Sequence, residues 1–418
     1  MPPSIGKYLC STACLRHVFA LGVLAVLGGV LLFSLESDQP LAPVRIGVIH
    51  SLSGTMAGSE RPLVDAVRLA VEEVNASGGI QGRPLSMVVA DCHSDAAFCA
   101  SEAERLIVQE QVSALFGCWT SACRKAVKPV VEAHRHLLVY PVQYEGLEQS
   151  PNILYTGSVA NQQIIPGIRW AASHFGGRLF LLGSDYIFPR TANRLIGDLL
   201  EATGGEVLAE HYLPLGAQDM TAVIEQIKAQ GPDVLVNTLN GDSNAALFMA
   251  LVANGLASLP VVSFSVSEAE MGGWGGGRLQ AHYVVWSYFQ TINQPANQAF
   301  VRAWQARYGD AGRISDPAEA AYVGVWLWAQ AAREAGEITP ARLDHALVRQ
   351  TRNAPGGLVA VDRGTRHVWK MARIGQVEPE GRFREVWTSH RPVAPMPFPS
   401  YRSREDWLRI SRALEAGS

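Results

Sequence analysis

Residues 45–80 read "RIGVIHSLSGTMAGSERPLVDAVRLAVEEVNASGGI". A short apolar run, RIGVIHS, passes into a polar turn, LSGTMAGSE. Val64, Val67, Leu69, Val71 and Val74 then recur at helical spacing, and SGGI stops the pattern. The spacing predicts a strand over 45–51 and a helix over 61–76. The unit repeats, with strands over 85–91, 114–117 and 137–140 and helices over 95–109 and 121–133. A second set follows, with helices over 162–175, 189–203, 221–230 and 242–254 and strands over 178–185, 206–213, 233–239 and 260–265. Apolar strands alternating with amphipathic helices imply parallel sheets covered on both faces. Two such sets imply an α/β fold of two doubly wound lobes. In such sheets ligands sit beyond the carboxyl ends of the strands.

The chain has 418 residues and a net charge of −3. That length exceeds one core and suits two domains plus a tail. The near-neutral balance, and a sequence without a Lys/Arg stripe interleaved with aromatics, exclude a nucleic-acid partner. Residues 18–35, "VFALGVLAVLGGVLLFSL", carry no charge, with Lys7 and Arg16 before them and Glu36 and Asp38 after. This asymmetry places the rest of the chain outside the cytoplasm, on an N-terminal hydrophobic helix read as an inner-membrane anchor in preference to a cleaved signal. Export suits disulfides. Cys92–Cys99 and Cys118–Cys123 are the candidate pairs, against four buried free thiols.

The strand-end loops collect hydroxyls, amides and aromatics: HSLSGT (50–55), GCWTSAC (117–123), YPVQYEG (140–146), GSDYIFPR (183–190) and LNGDSN (239–244). Few paired charges occur among them, which suits a small neutral polar ligand. Ser53 and Ser121 offer hydroxyl donors, while Gln143, Glu145 and Asp242 can accept from an NH₂ group. Trp119, Tyr140, Tyr144 and Tyr186 can stack on a flat amide. Each has a plainer reading: Trp119 as a packed strand-end ring, the tyrosines as core residues, Ser121 as a helix N-cap, Glu145 and Asp242 as loop carboxylates. Cys118 could be a nucleophile with Glu and Lys partners, but nothing in the sequence places a lysine beside it, and no G-x-S-x-G elbow occurs. His134 and His136 are too weak a pair for a metal site. The chain therefore reads as a binding protein without metal, cofactor or enzyme activity, and GGWGGG (272–277) reads as a flexible turn.

The motifs GCWTSACRKAV, YPVQYEG, GSDYIFPRTAN and LNGDSNAA resemble the urea-binding proteins of urea ABC transporters. They also resemble the short-chain amide sensors that control amidase operons. Both belong to the branched-chain amino-acid-binding family of type I periplasmic binding proteins, and the resemblance runs from about 44 to 407. It implies two lobes joined by a three-strand hinge and closing on a ligand. Ahead of it, the N-terminal charge pattern sets a cytoplasmic n-region (1–17), an anchor or signal helix (18–35) and a linker (36–43), while the resemblance divides the rest into lobe 1 (44–157 and 283–343), lobe 2 (158–282 and 344–390) and a proline-rich strap (391–418). It sets Ser121, Tyr140 and Tyr186 against the bound amide. Trp119, Val142, Gln143 and Phe188, with Asn240-Gly241-Asp242, follow the urea branch. Urea is expected first and short aliphatic amides second. Delivery is to an ABC permease and ATPase, or the signal passes to a regulatory partner if the chain is a tethered sensor. Branched-chain amino-acid binding is a third reading.

Overall fold

The computed structural model describes residues 41–271, 281–309, 312–378 and 381–416. The expected membrane helix over 18–35 and the turn over 272–277 lie outside these residues. No helix among the described residues is long and apolar enough to cross a membrane.

The first lobe is a five-stranded parallel sheet: β1 (Val44–His50), β2 (Leu85–Asp91), β3 (Leu115–Gly117), β4 (Leu138–Tyr140) and β5 (Ile153–Tyr155). Its order is β2-β1-β3-β4-β5. The second lobe holds β6 (Arg178–Ser184), β7 (Glu206–Leu213), β8 (Val234–Thr238), β9 (Val261–Ser263) and β10 (His282–Trp286). These run β7-β6-β8-β9-β10, the same order again. Each sheet therefore reverses its winding once, between β1 and β3 and between β6 and β8, which is where doubly wound sheets open a ligand crevice.

Beyond β10, the helices Pro295–Tyr308 and Asp316–Ala335 return to lobe 1, where the second lies along the helix Ala57–Ala76. A small antiparallel sheet follows, of β11 (Thr351–Ala354), β12 (Gly357–Val361) and β13 (Val368–Trp369). Then β14 (Arg373–Val377) and β15 (Phe383–Thr388) extend the lobe 2 sheet antiparallel to β10. Two expected boundaries move as a result. β10 pairs with β9, so the chain leaves lobe 2 after 286, not 282. Residues 344–369 stay with lobe 1: Ala346, Leu347, Ala354, Val359 and Val368 share its core, and His367 bridges to Tyr155 on β5.

Lobe 1 packs around one apolar cluster. In lobe 2, Phe180, Leu182 and Leu235 belong to one cluster, and Leu179, Leu181 and Val234 to another. That alternation along each strand marks a sheet buried on both faces. The chain passes between lobes at 156–163, 287–294 and 370–372, and the crossings are bonded to one another. Lys370 Nζ donates to the carbonyl of Thr156 at 3.0 Å, Asp316 Oδ2 accepts the backbone N–H groups of Ser287 and Tyr288, and Arg373 bonds the carbonyl of Ser287. A Cβ on Gly157 would come within 1.9 Å of the Val142 carbonyl oxygen, so only glycine fits the first crossing.

Three local readings change. The first helix starts at Ala57, a turn before Pro62, although proline favours a first position. The N-cap of the helix Ser121–Ala133 is Thr120, whose hydroxyl accepts from Cys123 N–H, which leaves the Ser121 hydroxyl free for another partner. The strap is not extended throughout: Arg404–Ala416 is a helix whose Trp407 is fully buried and packs on lobe 2.

Candidate functional site

The corner after β3 turns on two consecutive residues of positive φ, Gly117 at 151° and Cys118 at 63°. A Cβ on Gly117 would meet the Ile49 carbonyl oxygen at 2.0 Å. Cys118 holds a left-handed conformation that costs a non-glycine residue about 1–2 kcal/mol, and a disulfide to Cys123 pins it there. Its sulfur is thus no free nucleophile. The turn throws Trp119 across the cleft, where its indole Nε1–H donates to Asn240 Oδ1 of lobe 2 at 3.1 Å.

Behind Trp119 lies a buried polar cluster. Ser121 Oγ donates to Glu145 Oε2 at 2.6 Å. Arg124, three residues on and on the same helix face, donates to Ser121 Oγ (2.9 Å), Glu145 Oε1 (3.0 Å) and Glu148 Oε1 (3.0 Å). All four side chains are buried. A fork geometry that serves two carboxylates at once suits arginine and not lysine. Burial alone would raise the Glu148 carboxyl, but Arg124, Lys125 and Lys128 outweigh it and hold it down at about 2. The Arg124 guanidinium also lies 4.2 Å from the Tyr144 ring centre and 5.0 Å from that of Tyr140.

The tyrosines divide by role. Tyr140 OH donates to the Trp119 carbonyl at 2.6 Å and so braces the corner. Tyr144 OH bonds His367 Nε2, whose Nδ1–H faces the Thr365 carbonyl at 2.8 Å. Burial holds His367 down to about 4, which keeps the ring neutral. Tyr155, stacked on His367 at 4.1 Å, donates to Glu148. Burial raises the phenols of Tyr140, Tyr144 and Tyr186 well above their usual range, so all three remain protonated donors.

Lobe 2 supplies Tyr186, after β6, and Asn240, after β8. Asn240 is held by Ser184 Oγ at its N–H and by its own side chain to the Thr238 carbonyl. Gln143 reaches across from lobe 1, donating to the Phe264 carbonyl (3.0 Å) and Ser265 Oγ (3.2 Å), while its own side-chain oxygen is buried without a partner. Ser59 Oγ donates to Glu270 at 2.7 Å.

Between these loops lies a cavity of about 90 Å³ whose lining includes Ser51, Glu60, Asp95, Thr120, Cys123 and Tyr186. It is far smaller than the roughly 300–1,000 Å³ of sites for drug-sized ligands. A wider groove of about 450 Å³, by Thr291, Arg373 and His390, contains none of the strand-end loops.

Of the residues expected from sequence, Trp119 bonds Asn240, Tyr140 braces Trp119, Ser121 and Glu145 join the Arg124 cluster beside Tyr144, and Gln143 bonds lobe 2 at Phe264 and Ser265, while Tyr186 alone of the expected residues lines the cavity. Ser53 and Asp242 take no part in these contacts. Ser53 Oγ is engaged by Asp91 at 2.8 Å, and Asp242 is exposed at the start of the helix Ser243–Ala253. Sequence reasoning missed Glu60, Arg124 and Glu148. The i, i+3 spacing of Ser121 and Arg124 was the available signal. Both expected disulfides, Cys92–Cys99 and Cys118–Cys123, are present, with Cys123 Sγ 3.1 Å from Cys99 Sγ. His134 and His136 do not converge: one ring nitrogen lies 3.5 Å from Glu104, the other bonds the Val112 carbonyl.

A family model described as a periplasmic binding protein domain matches residues 44–404. Leu/Ile/Val-binding protein homolog 6 of Brucella suis is 24% identical over 355 residues, covering 82% of this chain and 90% of that relative. Homolog 8 of the same species is 24% identical over 402 residues, covering 88% and 96%. Among solved structures, a solute binding protein of an ABC transporter from Rhodopseudomonas palustris HaA2, in complex with p-hydroxybenzoic acid, aligns with TM-score 0.76 at 24% identity, over 85% of this chain and 98% of that one. The branched-chain amino acid transporter substrate binding protein LivJ of Streptococcus pneumoniae, in complex with isoleucine, aligns with TM-score 0.73 at 20% identity, over 84% and 100%.

Proposed function

Because this chain belongs to the periplasmic binding protein domain family, we propose that it is an extracytoplasmic solute-binding protein of an ABC transporter that closes on urea, with short aliphatic amides as weaker ligands. The observation that carries this reading is the state of Arg124. Three of its five N–H groups are taken by Ser121, Glu145 and Glu148, and its charge is shared between two carboxylates, so the cluster's arginine offers a ligand carboxylate no net positive charge. Among the described residues lining the cavity there is no lysine or arginine. A buried carboxylate ligand without a cation or several N–H donors is costly. The ligands named for the solved relatives, isoleucine and p-hydroxybenzoate, both carry one. A neutral molecule with N–H donors and one carbonyl suits the Tyr186 and Thr120 hydroxyls, the Glu60 carboxylate and the small volume. The protein performs no chemistry on it.

In this mechanism lobe 1 presents the ligand floor, and lobe 2 brings Tyr186 and Asn240 over it. Closure excludes water, which strengthens each hydrogen bond and leaves a mismatched ligand's partners unpaired. The ligand shifts the lobes toward closure by its differential affinity, and the closed shape is what the permease and its ATPase read. The uncharged run 18–35 favours one variant of this account, a chain tethered to the inner membrane that signals to a regulatory partner.

Thermal melting of the full chain with urea, acetamide, formamide, leucine and 4-hydroxybenzoate tests the assignment. A ligand at a hundred times its dissociation constant adds about 2.7 kcal/mol of stability. Urea is expected to raise the midpoint most. A rise with leucine or 4-hydroxybenzoate alone sinks the reading.

A further inference from the structure

Glu60 is only 3% exposed and lines the cavity. Its Oε2 accepts from Ser51 N–H at 2.9 Å and contacts His50 Nδ1 at 2.8 Å. Among the described residues, no hydrogen bond reaches its Oε1. That oxygen is left to accept from whatever occupies the cavity, whose other polar atoms supply few donors. Ser94 Oγ donates away, to the Ser53 carbonyl, and Asp95 adds a second carboxyl group, one oxygen of which caps the helix Ala96–Val108. Behind the floor, Arg124 carries one positive charge against the two of Glu145 and Glu148, and the lysines that offset Glu148 approach it from outside. Tyr186, an aromatic ring of the kind that attracts cations, is also among the lining residues.

We propose that the same cavity takes small planar N–H-rich cations, guanidinium foremost, with Glu60 as the counter-ion that distinguishes them from urea. The inference rests on the urea reading of this site and extends it in charge. Guanidinium has the outline of urea, with the carbonyl oxygen replaced by a third nitrogen that donates. It therefore satisfies the open oxygen of Glu60 with a charge-assisted bond, which is about twice as strong as a neutral one. Desolvating the cation costs several kcal/mol, and the carboxylate opposite it is the feature that offsets this.

The test is calorimetric titration of the full chain with guanidinium chloride and with urea, each at millimolar concentration or below, alone and in competition. Guanidinium is expected to bind at least as tightly as urea, to compete with it, and to weaken with added sodium chloride while urea does not. In Glu60→Gln the guanidinium-to-urea affinity ratio is expected to fall roughly tenfold, about 1.4 kcal/mol. Urea binding without guanidinium binding overturns this inference and leaves the urea reading standing. Binding of neither by a chain that still melts cooperatively overturns both. An unchanged ratio in the variant removes Glu60 from the role. Should the variant fail to fold, salt dependence in the unaltered chain decides, and a guanidinium affinity indifferent to salt overturns the proposal.

Discussion

The indole N–H of Trp119 donates to the side-chain oxygen of Asn240 across 3.1 Å, one lobe to the other, between residues 121 positions apart. Trp119 stands at the β1/β3 reversal of its sheet and Asn240 at the β6/β8 reversal of the other. The two crevices of the duplicated topology thus face each other and are tied at their tips. A tryptophan at a chain corner is explained by this reach.

Trp119→Phe keeps a ring in the cleft and removes the donor. Asn240 Oδ1 is then buried without that partner, a loss of about 1–3 kcal/mol. The closed form should become less populated and urea affinity should fall about tenfold or more. Small-angle scattering would show a larger radius of gyration at a given urea concentration, and an unchanged radius and affinity would argue against the tie.

Arg124→Met strips the cation from between Glu145 and Glu148. Removing one partner of a buried ion pair costs about 3–5 kcal/mol. The thermal midpoint should drop steeply, and Arg124→Met with Glu148→Gln should recover part of the loss. Calorimetric melting of the two variants checks both.

Stability should also depend on pH through groups with opposite signs. Burial raises Glu268 and Glu319 from the usual 4.5 to about 7. Their contribution is full below 4.5 and is lost as pH rises through 7, up to roughly 3 kcal/mol each. Burial lowers His282 to about 3 and His367 to about 4 from 6.5. Theirs is full above 6.5 and is lost as pH falls through 4 and 3. Glu319→Gln should therefore gain on the unaltered chain as pH is raised from 5 to 8. Parallel melts across that range would refute the assignment of Glu319.

The Cys118–Cys123 bridge encloses Trp119 and Ser121, and closing so short a loop is worth about 2 kcal/mol. Alkylation and mass spectrometry of the native protein should find Cys92, Cys99, Cys118 and Cys123 all oxidised. Reduction should loosen the corner and weaken urea binding. Full affinity after complete reduction would show that the corner holds its shape without the bridge.

Much of this was legible in sequence because strand and helix periods are local. The duplicated alternation of β1 to β4 and β6 to β9 stands in the apolar spacing, and the strand-end loops follow from it. β5 was not read, although at three residues it is as long as β3 and β4, because no helical period separates it from β4. The helix Arg404–Ala416 was hidden by the prolines before it and by its charged surface. Burial of charge was the larger blind spot. Arg124 and Glu148 lie 24 residues apart, and nothing local says that either leaves water. Glu60 falls in a stretch that reads as a polar turn, although Ala57–Ala76 is helical and places it inward. Ser53 bonds Asp91 and Asp242 is exposed, both apart from the Trp119 corner, for the converse reason: composition names a loop's chemistry but not the direction of its side chains.

The central claim is that this cleft holds a small uncharged amide group and not a carboxylate. Calorimetric titration of the full chain with urea, then with acetamide and leucine, tests it most directly. The account predicts saturable one-site binding of urea, weaker acetamide and no heat from leucine. Saturable binding of leucine with urea silent would contradict it.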